Sequence, residues 1–238
     1  MQAIFETVFD IAYLATVVTL GVRLVRSSQG RSAVLLFGIM ALVLGFGDAF
    51  HLIPRAYALN TAGLEANAAL LGVGKLITSV TMTVFYVLLY YIARLRYRIQ
   101  GKRWMDALMI LLAVIRVALC LFPQNEWTSA NAPLEWGIYR NIPFAAMGIF
   151  IIALYAVMVK RTGDRPFRFM ALAVALSFAF YIPVVLFADA YSLIGMLMIP
   201  KTLAYVWVIV MGYRDSAAES SGYDVLSLGN DHHNSVNQ

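Results

Sequence analysis

The chain has 238 residues, of which 61% are apolar and only 13% charged, with a mean hydropathy of +0.76 and a net charge of +5. That balance excludes a water-soluble globular domain and describes a chain whose surface faces lipid. The pI near 9.4 belongs to loops that meet anionic headgroups, so no nucleic-acid partner is implied.

A bilayer core of roughly 30 Å needs about 20 helical residues, and seven apolar stretches qualify. The first, about 3–24, carries Glu6, Asp10 and Tyr13 along one face and lacks a basic leader region, so it stays as a span. The second, about 33–54, places Asp48, His51 and Arg55 at i, i+3 and i+7 and ends at Pro54. The third, about 69–93, runs Lys75, Ser79, Thr83, Tyr86 and Tyr90 in one stripe. The fourth, about 104–122, holds Arg116 and Cys120, the only cysteine, which excludes an intrachain disulfide. Arg140 and Pro143 fall in the fifth (about 136–159), Pro183 in the sixth (about 167–188), and Pro200, Lys201 and Tyr205 in the seventh (about 192–213). The expected architecture is an all-α polytopic membrane protein: one seven-helix domain over 1–214, then a polar, aperiodic and disordered cytoplasmic tail over 215–238.

Charge placement sets the orientation. Twelve of the 18 Lys and Arg residues lie in three short segments: Arg23, Arg26 and Arg31; Arg94, Arg96, Arg98, Lys102 and Arg103; Lys160, Arg161, Arg165 and Arg168. These fall at every second gap between spans, while the other gaps hold Glu65, then Glu126 and Glu135, then Asp189. Basic loops resist translocation, so the N-terminus is expected outside a plasma membrane and the C-terminus inside.

The ionisable groups within the spans fall in one layer. Asp10, Asp48, Lys75 and Arg116 each lie on the order of 10 Å below the outer boundary, at about 1.5 Å per residue. Lys201 lies slightly deeper, and His51, Arg55 and Arg140 are nearby. A charge at mid-membrane costs at least about 2.5–3.5 kcal/mol, so such residues face a bundle interior and find partners. The candidate ligand-binding set is Asp10, Asp48, His51, Lys75, Arg116, Arg140, Lys201 and Tyr205. The competing reading is a set of buried ion pairs that only lock helices together. Pro143, Pro183 and Pro200 free backbone carbonyls one turn earlier in the same half of the membrane, as a water-filled vestibule would. A parallel correspondence between Asp10–Pro54–Lys75 and Arg140–Pro183–Lys201 suggests a three-plus-one-plus-three repeat.

Gly72-Val-Gly-Lys75 lacks the first glycine of a phosphate loop and has no preceding strand. His232-His233 and Tyr223-Asp-Val-Leu carry no chemistry that the rest of the chain supports. The string Gly45-Phe-Gly-Asp48-Ala-Phe-His51-Leu-Ile-Pro-Arg55 resembles one found in a group of bacterial seven-helix membrane proteins, which implies the membrane fold and no particular activity. The Gly47-Asp48 pair at a helix end is similar to the YhhN-type lysoplasmalogenases, polytopic enzymes that cleave a lysolipid vinyl ether. With only His51 inside the membrane, a His-based zinc site is excluded. Lys201 in the last helix resembles the retinal-binding lysine of rhodopsins. However, Lys75 stands where microbial rhodopsins place acids, and position 197 is Leu where the usual motif has Asp, so no cofactor is expected.

These features favour an outward-facing charged pocket that binds or transports a small anion or a lipid headgroup. An intramembrane lipid hydrolase, with Asp48 and His51 as acid/base pair, and a non-catalytic sensor or assembly factor are the alternatives.

Overall fold

In the computed structural model the described residues are 2–61, 63–188 and 191–234; the side chains of Gln2, Ser192 and residues 219–234 lie outside the description, as does Asp189. The described chain is all-helical. Its helices are α1 (Gln2–Arg26), α2 (Ser32–Leu59), α3 (Ala68–Arg96), α4 (Arg103–Leu121), α5 (Leu134–Thr162), α6 (Met170–Phe187) and α7 (Met198–Asn234). Short 3₁₀ turns at Glu65–Asn67, Pro123–Asn125 and Ser192–Leu197 join them. Seven helical segments are long and apolar enough to cross a membrane, one for each expected span.

Three local expectations need correction. Pro54 does not end α2, which continues to Leu59. Proline deletes one ladder donor, here the bond to the Phe50 carbonyl, but a helix in lipid keeps its remaining backbone bonds because no water replaces them. The region around Phe50 packs on Gly74 of α3, where a Cβ would run into the Phe50 carbonyl and the His51 Cα. Pro200 frees no helix carbonyl one turn earlier; it sits in the first turn of α7, where its missing N–H has no intrahelical partner to lose. Finally, Asp215 and Ser216 do not open an aperiodic tail. Both lie on the continuing helix α7; Asp215 pairs with Arg96, and Ser216 is buried beside Arg31.

Consecutive helices are neighbours around the bundle, and α7 closes it by packing on α1 and α2. Helix α3 touches α2, α4 and α5 and carries a long buried face through Thr83, Tyr86 and Tyr90. The outer surface is the reverse of a soluble protein's: Ile4, Phe5, Val8 and Ile11 of α1 and Leu111, Val114 and Ile115 of α4 are exposed. In lipid such residues lose nothing by exposure, so helix association rests on close packing and buried polar contacts.

The end that carries the three basic segments, here the basic end, is pinned by one residue. Arg96 donates from Nε (2.5 Å) and Nη2 (2.9 Å) to Asp164 in the α5–α6 connection. It donates from Nη1 (2.5 Å) and Nη2 (3.1 Å) to Asp215 of α7. Its guanidinium carbon lies 3.8 Å from the Phe167 ring centroid, and the Tyr97 hydroxyl adds a 2.9 Å bond to Asp164. Planar, two-pronged pairing of this kind is the strong form of an ion pair.

Candidate functional site

The bundle core contains a polar seam to which all seven helices contribute. On α1 and α2, the Tyr13 hydroxyl donates a 2.7 Å hydrogen bond to Asp48 Oδ2, and both residues are buried. Helix α7 brings Lys201, 6% exposed, within electrostatic reach of Asp48 without a direct ion pair. The Lys201 ammonium faces two rings instead, 4.9 Å from the Tyr181 centroid and 5.3 Å from that of Tyr205. Aromatic faces carry partial negative charge and hold a desolvated cation.

On the far side of the seam stands Arg116 of α4, 2% exposed. Its guanidinium carbon lies 3.3 Å from the Phe144 ring centroid of α5. Its Nε and Nη1 are buried and have no hydrogen-bond partner. The electrostatic neighbours of Arg116 include the Tyr181, Tyr205 and Tyr86 hydroxyls, the Cys120 thiol and the Lys201 ammonium, and no carboxylate among the described residues forms an ion pair with it. Tyr86 of α3 lies 3.3 Å from Ser177 Oγ of α6. Ser177 gives its proton to the Val174 carbonyl at 2.7 Å, so Tyr86 is the donor of that pair. Tyr86 also packs edge-on against Phe144, centroids 4.8 Å apart.

Asp48, Arg116, Lys201 and Tyr205, four of the residues singled out in the sequence, therefore meet in this seam. Asp10 is half-buried one turn from Tyr13, with Arg55, Glu6 and Asp48 as its charged surroundings; Glu6 and Arg55 pair at 3.0 Å. His51 has its Nδ1 buried without a partner and lies in electrostatic reach of Lys75, Arg55 and Lys201. No hydrogen bond joins it to Asp48 among the described residues. Lys75 lies on an exposed face of α3.

Arg140 is used differently. Its Nη1 donates to Asn125 Oδ1 at 2.8 Å, and its guanidinium lies 4.3 Å from the Trp127 ring centroid. Asn125 is fully buried and donates to the Leu119 and Phe122 carbonyls (2.7 and 2.9 Å), while Trp127 Nε1 donates to the Cys120 carbonyl at 2.8 Å. Arg140 thus holds the α4–α5 connection against the end of α4. The Trp127 carbonyl of that connection sits directly on Gly72 of α3, leaving no room for a Cβ.

Sequence reasoning places Tyr13 and Tyr86 on interior stripes but not in the site, and it misses Phe144, Ser177 and Tyr181. Only the regular recurrence of Tyr13 after Glu6 and Asp10, and of Tyr86 after Thr83, signals a polar interior face. Phe144 and Ser177 resemble any other core residue at the sequence level.

Chemically, the seam offers two buried cations, one carboxylate held by a phenol, and several hydroxyl donors. Among the described residues no group of three His, Cys, Asp or Glu is positioned as metal ligands. No family model, curated protein or solved structure matches the chain, so the case for this site rests on its own residues.

Proposed function

We propose that this chain is a multi-pass membrane protein that takes a small anion into its core, with Arg116 and Lys201 as the binding cations. One observation carries the reading: Arg116 is a buried guanidinium with two nitrogens lacking acceptors and no ion-paired carboxylate among the described residues. A buried polar group without a partner costs free energy, and a charged one costs more. A bound anion supplies the missing acceptors through charge-assisted hydrogen bonds. Stacking on Phe144 holds the guanidinium plane, and the phenols of Tyr181 and Tyr205 add donors around it. Asp48, fixed by Tyr13, offsets Lys201 and with His51 provides a place for a coupled proton.

The positive-inside pattern supports a plasma-membrane orientation with the N-terminus outside. In that orientation the seam lies in the outer half of the membrane, beneath the α4–α5 connection. Three helices before α4 and three after it are compatible with the parallel repeat; superposition of α1–α3 on α5–α7 tests it.

The functional test uses purified protein reconstituted in liposomes, loaded and challenged with chloride, acetate or phosphate. Anion flux, or anion-dependent thermal stabilisation in detergent, is expected for the native chain. It should weaken at least about tenfold in Arg116→Met, the equivalent of about 1.4 kcal/mol. An Arg116→Met protein that retains the native anion response refutes the assignment.

A further inference from the structure

At the basic end an open pocket of about 520 Å³ lies between α2, α3, α7 and the α5–α6 connection. Its wall is apolar, formed by the buried side chains of Val34, Phe37 and Ile92. Its rim is charged, with Arg96, Arg98, Asp164 and Asp215. The four charges are not equally available.

Asp164 is saturated. It accepts from Arg96 twice, from the Tyr97 hydroxyl and from the Phe167 N–H, and a carboxylate offers about four acceptor sites. Arg96 is held by the two aspartates together. Asp215, in contrast, accepts only the two bonds from Arg96 and keeps spare acceptor capacity. Arg98 has no side-chain hydrogen bond or ion pair among the described residues. Its backbone has φ of +48°, the left-handed conformation in which α3 ends and which glycine adopts at least cost. An arginine at that position puts a free cation on the pocket rim at some expense to the backbone.

The rim thus presents one unused cation and one partly unused carboxylate on the same pocket, above an apolar wall at the basic end of the bundle. We propose that this pocket binds a zwitterionic head of the phosphoethanolamine type. Its phosphate lies against Arg98, its ammonium donates to the open lone pairs of Asp215, and the first carbons of an attached chain lie along Val34, Phe37 and Ile92. A purely anionic head meets Asp215, and a purely cationic one meets Arg98, so neither satisfies both groups. The site is separate from the Arg116 seam and does not depend on that reading.

The test is a thermal shift of the full chain in maltoside micelles, titrated with dihexanoyl phosphatidylethanolamine. The phosphatidylcholine and phosphatidylglycerol of the same chain length are run beside it, together with soluble glycerophosphoethanolamine. Phosphatidylethanolamine at about 100 times its Kd should raise Tm by on the order of 5 °C. Phosphatidylcholine, whose trimethylammonium cannot donate, and phosphatidylglycerol, which has no ammonium, should do much less. Arg98→Gly is the informative variant: glycine suits the backbone, so its unliganded Tm should be unchanged or higher, while the ethanolamine response is lost. An equal response to glycerophosphoethanolamine assigns the site to a soluble zwitterion, and a response only to the lipid assigns it to the leaflet; both support the recognition chemistry. Equal shifts with all three lipids, no shift with any ethanolamine ligand, or a full response in Arg98→Gly overturns it.

Discussion

Tyr13 and Asp48 are joined across the α1–α2 interface by a 2.7 Å hydrogen bond in which the phenol donates to the carboxylate. The bond turns the carboxylate into a fixed counter-charge for Lys201, whose ammonium otherwise faces only the rings of Tyr181 and Tyr205. The three residues come from α1, α2 and α7, the helices whose mutual contacts close the bundle.

This arrangement predicts a graded series of stabilities. Tyr13→Phe removes one hydrogen bond to a buried carboxylate and should cost about 1–3 kcal/mol. Asp48→Asn strands Lys201 as a buried charge without a counter-ion and should cost about 3–5 kcal/mol. Adding Lys201→Met to Asp48→Asn should recover most of that loss. Unfolding in detergent gives these values together with that of Lys201→Met alone, and a double variant whose loss is the sum of the Asp48→Asn and Lys201→Met losses would show that the two charges are not coupled.

Arg116→Met should separate binding from folding. Replacing an unmatched buried cation with an apolar chain of similar length removes the desolvation cost of an unpaired charge and should be neutral or stabilising. The variant is therefore expected to be at least as heat-stable as the native chain without added anion, and to gain nothing from chloride or acetate. A large loss of stability without anion would instead make Arg116 a packing residue, held by Phe144 alone.

The clamp at the basic end predicts an acid-side pH dependence. Partial burial pushes the Asp164 carboxyl up, but the Arg96 hydrogen bonds and charge, with the Tyr97 hydroxyl and the Phe167 N–H, outweigh it and hold the group below the ordinary aspartate range. Asp164 therefore binds its proton at lower pH in the folded chain than in the unfolded one. Its contribution to stability is complete above the ordinary aspartate value and is lost as pH falls through the lower folded value. Tm measured from about pH 6 downward should fall less steeply in Asp164→Asn than in the native chain. Equal slopes would mean that other carboxylates govern the acid limb.

Gly72→Ala should act on the α4–α5 connection. The added methyl collides with the Trp127 carbonyl, and overpacking of this kind costs about 1–3 kcal/mol. The expected outcome is faster hydrogen exchange and easier proteolysis within residues 123–133, with α1–α3 protected as in the native chain. Unchanged exchange there would show that the connection yields without cost.

Much of the seam is legible in the sequence because a charge in an apolar run is conspicuous, and Asp48, Arg116 and Lys201 each stand out in that way. Lys75 looks equivalent and is not. It shares its stripe with Tyr86, eleven residues or about three turns further on, but at that end of α3 the buried positions are Leu71, Gly72 and Gly74, the two glycines packed on Trp127 and on Phe50 and His51, and Lys75 is left exposed. Arg140 misleads for another reason: its partners Asn125 and Trp127 belong to a connection whose path no periodicity describes. Pro54 misleads because proline stops helices in water, where backbone groups released from the ladder are solvated, whereas lipid offers them no such alternative.

The chain by itself determined the number of spans and the concentration of basic residues at one end, because the length of an apolar run and the positions of its charges are local properties. Tertiary structure decided which charges meet. The interior neighbour of each polar group depends on helix rotation and on the α7 to α1 closure, and both arise from packing between residues far apart in sequence. Arg116 without an acceptor, Asp48 held by Tyr13, and Arg98 unused on the pocket that Asp215 also lines are all consequences of that packing.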